Sequence, residues 1–172
     1  MDRYWLKSYP AGIPAEINPA AYRSLRDLIE TACAKHAQRP AYTSFGRTLT
    51  FGQLDRMSRA FAAWLQREAQ LAPGDRIALM MPNILQYPIA VFGALRAGLT
   101  VVNVNPLYTH RELTHQLQDS GASAIVVYEN AAQLVAQCLP ETSIRCVLTT
   151  GIGDLLYFPR GAISQIAVGL NR

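Results

Sequence analysis

The sequence predicts an α/β fold of three layers: a mostly parallel sheet with helices on both faces, plus an N-terminal β-hairpin on the sheet edge. Three observations carry that prediction. The stretches that begin at Arg76, Thr100, Ser123 and Ile144 are short, apolar and rich in β-branched residues, as strands covered on both faces are. Their starts lie 24, 23 and 21 residues apart, which leaves room for one helix in each interval. The intervals place apolar residues at helical spacing, and right-handed crossovers then lay the strands parallel. These units share an architecture and no repeated sequence.

Taken in order, residues 1–20 carry three prolines without any period, which predicts an extended arm anchored by Trp5 and Tyr9. Ser24 with Asp27 reads as a capping box, and Leu25, Leu28, Ile29, Ala32 and Cys33 trace one face of a helix that ends near His36, before Pro40. Ala41 to Phe45 and Arg47 to Phe51 flank Gly46 as a tight hairpin. Thr50 and Gln53 form a second box, ahead of a helix whose stripe is Leu54, Met57, Phe61, Trp64 and Leu65. Pro73-Gly74-Asp75 turns the chain into the strand Arg76 to Met81.

Asn83 is placed to cap the next helix, in which Tyr87, Val91, Ala94, Leu95 and Gly98 share a face and Gly98 ends the helix. Pro88 falls inside it and predicts a kink, or a helix that effectively starts there. Thr100 to Val104 is a strand closed by Asn105-Pro106, and Thr109 with Glu112 boxes the following helix. Ser123 to Tyr128, Asn130 to Leu139 and Ile144 to Thr149 read as strand, helix and strand. The last stretch, 151–172, is an apolar tail in which Ile163, Ile166, Ala167 and Leu170 recur at helical spacing. Two readings stay open for it: packing against protein absent from this chain, or lying on a membrane surface.

Composition narrows the function classes. A chain of 172 residues suits one domain, and its 50% hydrophobic and 16% charged content is that of a globular core. The net charge of +4 comes from scattered cations, which argues against nucleic acid as a partner. Cys33, Cys138 and Cys146 lack metal or redox spacing and read as small hydrophobes in a reducing compartment. The N-terminus shows no secretory signal pattern. The most apolar window, Ile84 to Val104, contains Gln86, Pro88 and Arg96 and so fails as a membrane span.

Motifs for chemistry are sparse. Ser, His and Asp occur without a Gly-x-Ser-x-Gly elbow. Gly151-Ile152-Gly153 follows a strand as a dinucleotide loop would, but Leu156 stands where the third glycine belongs, and Thr149-Thr150-Gly151 has no nearby lysine to meet a phosphate. His110 and His115 are five apart and face different ways on one helix, so neither reads as a metal ligand. Asn103, Asn105 and Tyr108 lie at the carboxyl end of a parallel strand, where open α/β sheets bind ligands, and they are the substrate-side candidates. Turn formation explains Asn105 equally well.

The wording of the sequence adds a resemblance. MPNILQYPIAVFGALRAGLTVVNVNPLYTHRELTHQLQDSGA (residues 81–122) is similar to the N-terminal region of bacterial long-chain fatty-acid:CoA ligases of the adenylate-forming superfamily. LTFGQLDRMSRAFAAWLQ, PGDRIALMMPN and the opening MDRYWLKSYPAGIPAEI resemble the same family, so the likeness covers essentially the whole chain. It implies a parent enzyme that activates a fatty acid with ATP and Mg2+ as an acyl-adenylate and passes the acyl group to coenzyme A. It also implies a cytoplasmic location, peripheral at the inner membrane.

Members of that family are longer. The Ser/Thr/Gly-rich phosphate loop with its lysine, the later ATP-binding motifs, the hinge and the small C-terminal domain have no counterpart here. The resemblance therefore assigns no catalytic, cofactor-binding or metal residue to this chain. It implies an arm at 1–20, an α/β N-terminal subdomain at 21–150 and a tail at 151–172 that packs on the rest of the parent, inactive on its own. A stand-alone fatty-acyl or membrane-surface binding module, or self-association through the tail, is the alternative.

Overall fold

The computed structural model describes residues 2–156. The predicted packing of the tail from Tyr157 to Arg172 lies outside the described residues. The sheet residues Ile77, Leu79, Ala124 and Val126 point to one face and Ala78, Met80, Ile125 and Val127 to the other, and all eight are buried. A sheet apolar on both sides needs cover on both sides, and the chain provides it with helices.

The elements are α1 (Leu25–Lys35), β1 (Pro40–Ser44), β2 (Arg47–Thr50), α2 (Phe51–Arg67), β3 (Arg76–Met80), α3 (Gln86–Arg96), β4 (Thr100–Asn103), α4 (His110–Ser120), β5 (Ala124–Tyr128), α5 (Ala132–Cys138) and β6 (Cys146–Thr150). β3 to β6 form a parallel sheet in the order β4-β3-β5-β6. Ala62 and Leu65 of α2 with Ala90 and Ala94 of α3 cover one face. Leu113 and Leu117 of α4 with Val135 and Cys138 of α5 cover the other. The three-layer α/β expectation therefore holds.

Local chemistry sets the boundaries. Thr50 and Thr109 close reciprocal capping boxes with Gln53 and Glu112, and Ser24 Oγ accepts from the Asp27 N–H at 3.1 Å. Asp27 returns its carboxylate to the N–H of Arg23 instead of Ser24, so that box is only half made. Gly98 and Gly121 end α3 and α4 at φ +81° and +57°, a conformation that penalises any Cβ.

Several expectations are corrected. The hairpin is a two-stranded sheet of its own, β1 antiparallel to β2, and does not extend the parallel sheet. Ala41 and Phe51 pack on Ile29, Cys33 and Leu54 of α1 and α2, and Leu49 is buried, so the hairpin is held by the helices. β4 is an edge strand with exposed Thr100 and Asn103; the strands buried on both faces are β3 and β5. Asn83 does not cap α3, whose N-cap is Leu85 without a side-chain bond. Pro88 sits three residues into that helix, where a missing N–H costs no intrahelical bond, so no break results. On α2 the fully buried line is Leu54, Ser58, Ala62 and Leu65, and Trp64 lies at the rim, 37% exposed. The arm carries a 3-10 helix at Tyr4–Ser8 with no buried residue, so Trp5 and Tyr9 do not anchor it. A 3-10 turn at Glu129–Ala131 shortens the helix expected from Asn130.

α3 is wedged between α2 and the sheet. Gly93 makes the close approach to α2, since a Cβ there would stand 2.6 Å from Phe61 Cδ1 and 3.1 Å from the Ser58 carbonyl oxygen. Its last residue, Arg96, is buried with a side chain 4% exposed. The guanidinium donates to Glu30 Oε1 of α1 at 2.8 Å and to Asp55 Oδ1 of α2 at 2.6 Å. Arg26 and Arg59 pair with the same two carboxylates from outside, at 3.2 and 2.9 Å. Burial pushes the Asp55 carboxyl up, but the Arg59 hydrogen bond and the Arg96 charge outweigh it and hold it below the usual carboxylate range.

Arg96→Ala is expected to leave two carboxylates without their central cation and to lower unfolding stability by about 3 kcal/mol, measured from the urea midpoint. The sign of the pH effect follows from Asp55. Its folded-state pKa is depressed, so its contribution is present above the unfolded value near 4 and is lost as pH falls through the folded value. Stability measured across pH 6 to about 2 is expected to fall below about pH 4, and Asp55→Asn is expected to flatten that fall.

Candidate functional site

Strand order decides where a site can form. β3 leads into α3 on one face, while β5 leads into α5 on the opposite face. The connections therefore diverge between the carboxyl ends of β3 and β5, and such a switch point leaves a crevice in an open parallel sheet. Met81 to Asn83 follow β3, Glu129 and Asn130 follow β5, and Gly151 to Asp154 follow the neighbouring β6.

The Gly151 loop is held by side chains. Gln86 Nε2 donates to the Gly151 carbonyl oxygen at 2.7 Å, tying α3 to the end of β6. Asp154 Oδ2 accepts from the Gly151 N–H at 2.8 Å and from Thr150 Oγ1 at 2.9 Å. The Glu129 carboxylate crowds the same glycine, with its atoms 3.0 to 3.3 Å from where a Cβ would be. A phosphate would need that N–H free and cations nearby, whereas two carboxylates meet there. The loop does not fit ATP. Among the described residues no group of three or more His, Cys, Asp or Glu side chains could hold a metal.

Beside the loop lies an apolar trough of about 180 Å³, walled by Phe61, Ile89, Ala90, Val126, Leu148 and Leu155. Its walls offer dispersion contacts and no charge, which suits an apolar group.

The three substrate-side candidates lie at the end of β4, one strand away from the switch point at the sheet edge. Asn103 Oδ1 accepts from Tyr87 Oη at 2.9 Å, and its carbonyl oxygen accepts from Gln116 Nε2 at 2.9 Å. Asn105 is engaged in its turn: Oδ1 accepts from the Leu107 N–H and the carbonyl oxygen from the Tyr108 N–H. The Tyr108 ring packs on the cluster beneath α4. Tyr87 and Gln116 join Asn103 through tertiary contacts at separations of 16 and 13 residues, beyond the reach of local spacing. Gln86 and Glu129 are likewise brought to Gly151 from other elements of the fold, whereas Asp154 reaches it locally, from three residues on in the same loop.

The remaining sequence candidates carry no chemistry together. His110 Nε2 stands 3.6 Å from Glu141 Oε1 in an exposed pair, and His115 is exposed on the same helix. All three cysteines are free thiols. Burial pushes Cys33 and Cys146 up from the ordinary thiol value, the opposite of what a nucleophile requires. No described helix is long and apolar enough to cross a membrane.

Parallel strands, crossover helices on both faces and a crevice beside β3 and β5 define an open, doubly wound α/β unit. Comparison with known proteins makes that class specific. The chain belongs to the AMP-binding enzyme family, whose model matches residues 29–162. It is 51% identical to the long-chain-fatty-acid–CoA ligase of Salmonella typhimurium and 52% identical to that of Yersinia pestis, in each case over 98% of this chain. It spans about 30% of the length of those ligases. Among solved structures, a long-chain-fatty-acid-CoA ligase from Archaeoglobus fulgidus superimposes with a TM-score of 0.71 at 25% identity, over 83% of this chain and 30% of that one. A benzoate CoA ligase from Burkholderia xenovorans gives 0.68 at 28% identity, over 74% and 26%.

Since Asp154 holds the Gly151 N–H, titration of the chain with Mg-ATP is expected to leave the Gly151 amide resonance unmoved. A saturable shift at that amide would show that phosphate displaces the carboxylate.

Proposed function

We propose that this chain is the N-terminal part of a long-chain fatty-acid:CoA ligase, an enzyme that converts a fatty acid and ATP to an acyl-adenylate and transfers the acyl group to coenzyme A. The observation that carries this reading is 51% identity sustained over 98% of the chain to a ligase of that name. The parent uses ATP, Mg2+ and coenzyme A. Adenylyl transfer needs cations and backbone donors positioned around the phosphates, and the crevice of this chain presents carboxylates and committed amides instead. Its part is to support the reacting groups supplied by the rest of the parent and to offer apolar wall through the trough between α2, α3 and β6.

The parent works in the cytoplasm, peripheral to the inner membrane. The exposed side chains of Tyr4, Trp5 and Tyr9, with Lys7 in the same short helix, support contact with a lipid interface.

A chimera in which this chain replaces the matching 30% of the Yersinia pestis ligase is expected to form acyl-CoA from palmitate with release of AMP, while the 172-residue chain alone forms none. A folded chimera without that activity, or turnover by the isolated chain, would overturn the reading.

A further inference from the structure

Among the described residues no strand pairs with the outer edge of β1. Ser44 pairs with Arg47 across the turn, so those two residues exchange ladder hydrogen bonds and the next pair, Thr43 with Thr48, does not. The side chains confirm that alternation, because Thr43 Oγ1 and Thr48 Oγ1 share a hydrogen bond at 2.8 Å, the close approach of a non-hydrogen-bonded pair. The Thr43 N–H and C=O consequently point away from β2, and among the described residues no strand pairs with β1 on that side. On that side lies a trough of about 370 Å³ between β1 and α3. Tyr42, Thr43 and Ser44 form one wall, and Ile84, Tyr87 and Val91 are among the residues of the other.

Two further features mark this edge. A two-stranded hairpin is marginal in water by itself and gains from a third strand. Phe45, at the hairpin tip, holds φ +48° and is 58% exposed. Positive φ at both Phe45 and Gly46 is what the two-residue turn between Ser44 and Arg47 requires, and it leaves the aromatic side chain as apolar surface beside the edge.

We propose that the outer edge of β1 receives an extended, apolar β-strand from the remaining part of the parent ligase, with the Thr43 N–H and C=O both paired and alternate side chains of the incoming strand seated in the trough. This rests on the proposed function, because the occupant is the part of the ligase that this chain does not span. The matched ligases are more than three times as long as the region aligned here, which makes a covalently joined strand the available occupant. Strand addition fits the chemistry of the site, since backbone groups give the pairing and uncharged walls accept apolar side chains. A second copy fits less well: it brings a two-stranded hairpin into a trough already bounded by α3.

Amide hydrogen exchange at Thr43 tests this, compared between the isolated 172-residue chain and the Yersinia pestis chimera. Pairing is expected to slow Thr43 exchange by about tenfold or more in the chimera. An active chimera with unchanged exchange at Thr43 overturns the strand site and keeps the proposed function. A folded but inactive chimera with Thr43 protected does the reverse.

Should the chimera not fold, overlapping peptides covering the remainder of the Yersinia ligase are titrated into the labelled 172-residue chain. One of them is expected to shift the Thr43 amide, and Thr43→Pro is expected to abolish that binding while keeping the β1–β2 ladder, because the lost N–H points outward. If no peptide moves Thr43, or if its protection rises with concentration of the isolated chain, the proposal is overturned.

Discussion

A single buried cation organises the helical layer. Arg96 ends α3 at the point where α1 and α2 converge, and its guanidinium meets one carboxylate from each. Burying an arginine costs several kcal/mol, which the two ion pairs offset only when both geometries are held. That condition fixes the crossing of three helices at once. Apolar contacts among Ile29, Cys33, Leu54, Ile89 and Phe92 fill the same junction, but they are non-directional and tolerate sliding. The hairpin leans on α2, and α2 packs on α3, so the placement of β1 and its trough descends from this junction.

Much of the architecture was legible because its determinants are local. The boxes at Thr50 and Thr109 need four adjacent residues, and the stops at Gly98 and Gly121 need one, so spacing alone located them. The even strand intervals likewise reported the crossovers. Arg96 shows where local reading ends. In sequence it is only a charge that interrupts an apolar window, and its partners lie 66 and 41 residues away. The same limit explains β4: a β-branched run reads as buried until strand order places it at an edge.

The site was less legible than the fold, for a related reason. A crevice in a parallel sheet belongs to the strand pair where the connections diverge, and that pair is β3 and β5, which are not consecutive. Asn103, Asn105 and Tyr108 satisfied the rule that ligands meet carboxyl ends of strands, but they do so at the edge. Gly151 invited a phosphate reading from its glycines; Glu129, brought there by tertiary packing, and Asp154, three residues on in the same loop, carry the wrong charge for one. The family, in contrast, was recognisable from the wording of residues 81–122, although few of those side chains have any chemistry to perform.

The pattern of burial also shows which side of the unit is finished. β5 is buried along its whole length, whereas the edge strands carry no fully buried residue: β6 alternates between half-buried and exposed positions, and β4 is exposed at both ends with a half-buried middle. The edges differ in chemistry. β4 exposes Thr100 and Asn103, polar residues that water satisfies, and Asn103 is further held by Tyr87 and Gln116. β6 exposes Val147 and only half buries Cys146 and Leu148, so apolar surface lies beside a backbone edge that no described strand pairs with. Sheets that end in water blunt their edges with polar or charged groups, and only β4 follows that rule. The open β6 edge borders the trough at Leu148 and Leu155, and the free edge of β1 borders the trough on α3. These two edges, of β6 and β1, therefore each adjoin a concave apolar surface, the combination in which backbone pairing and hydrophobic burial reinforce one another.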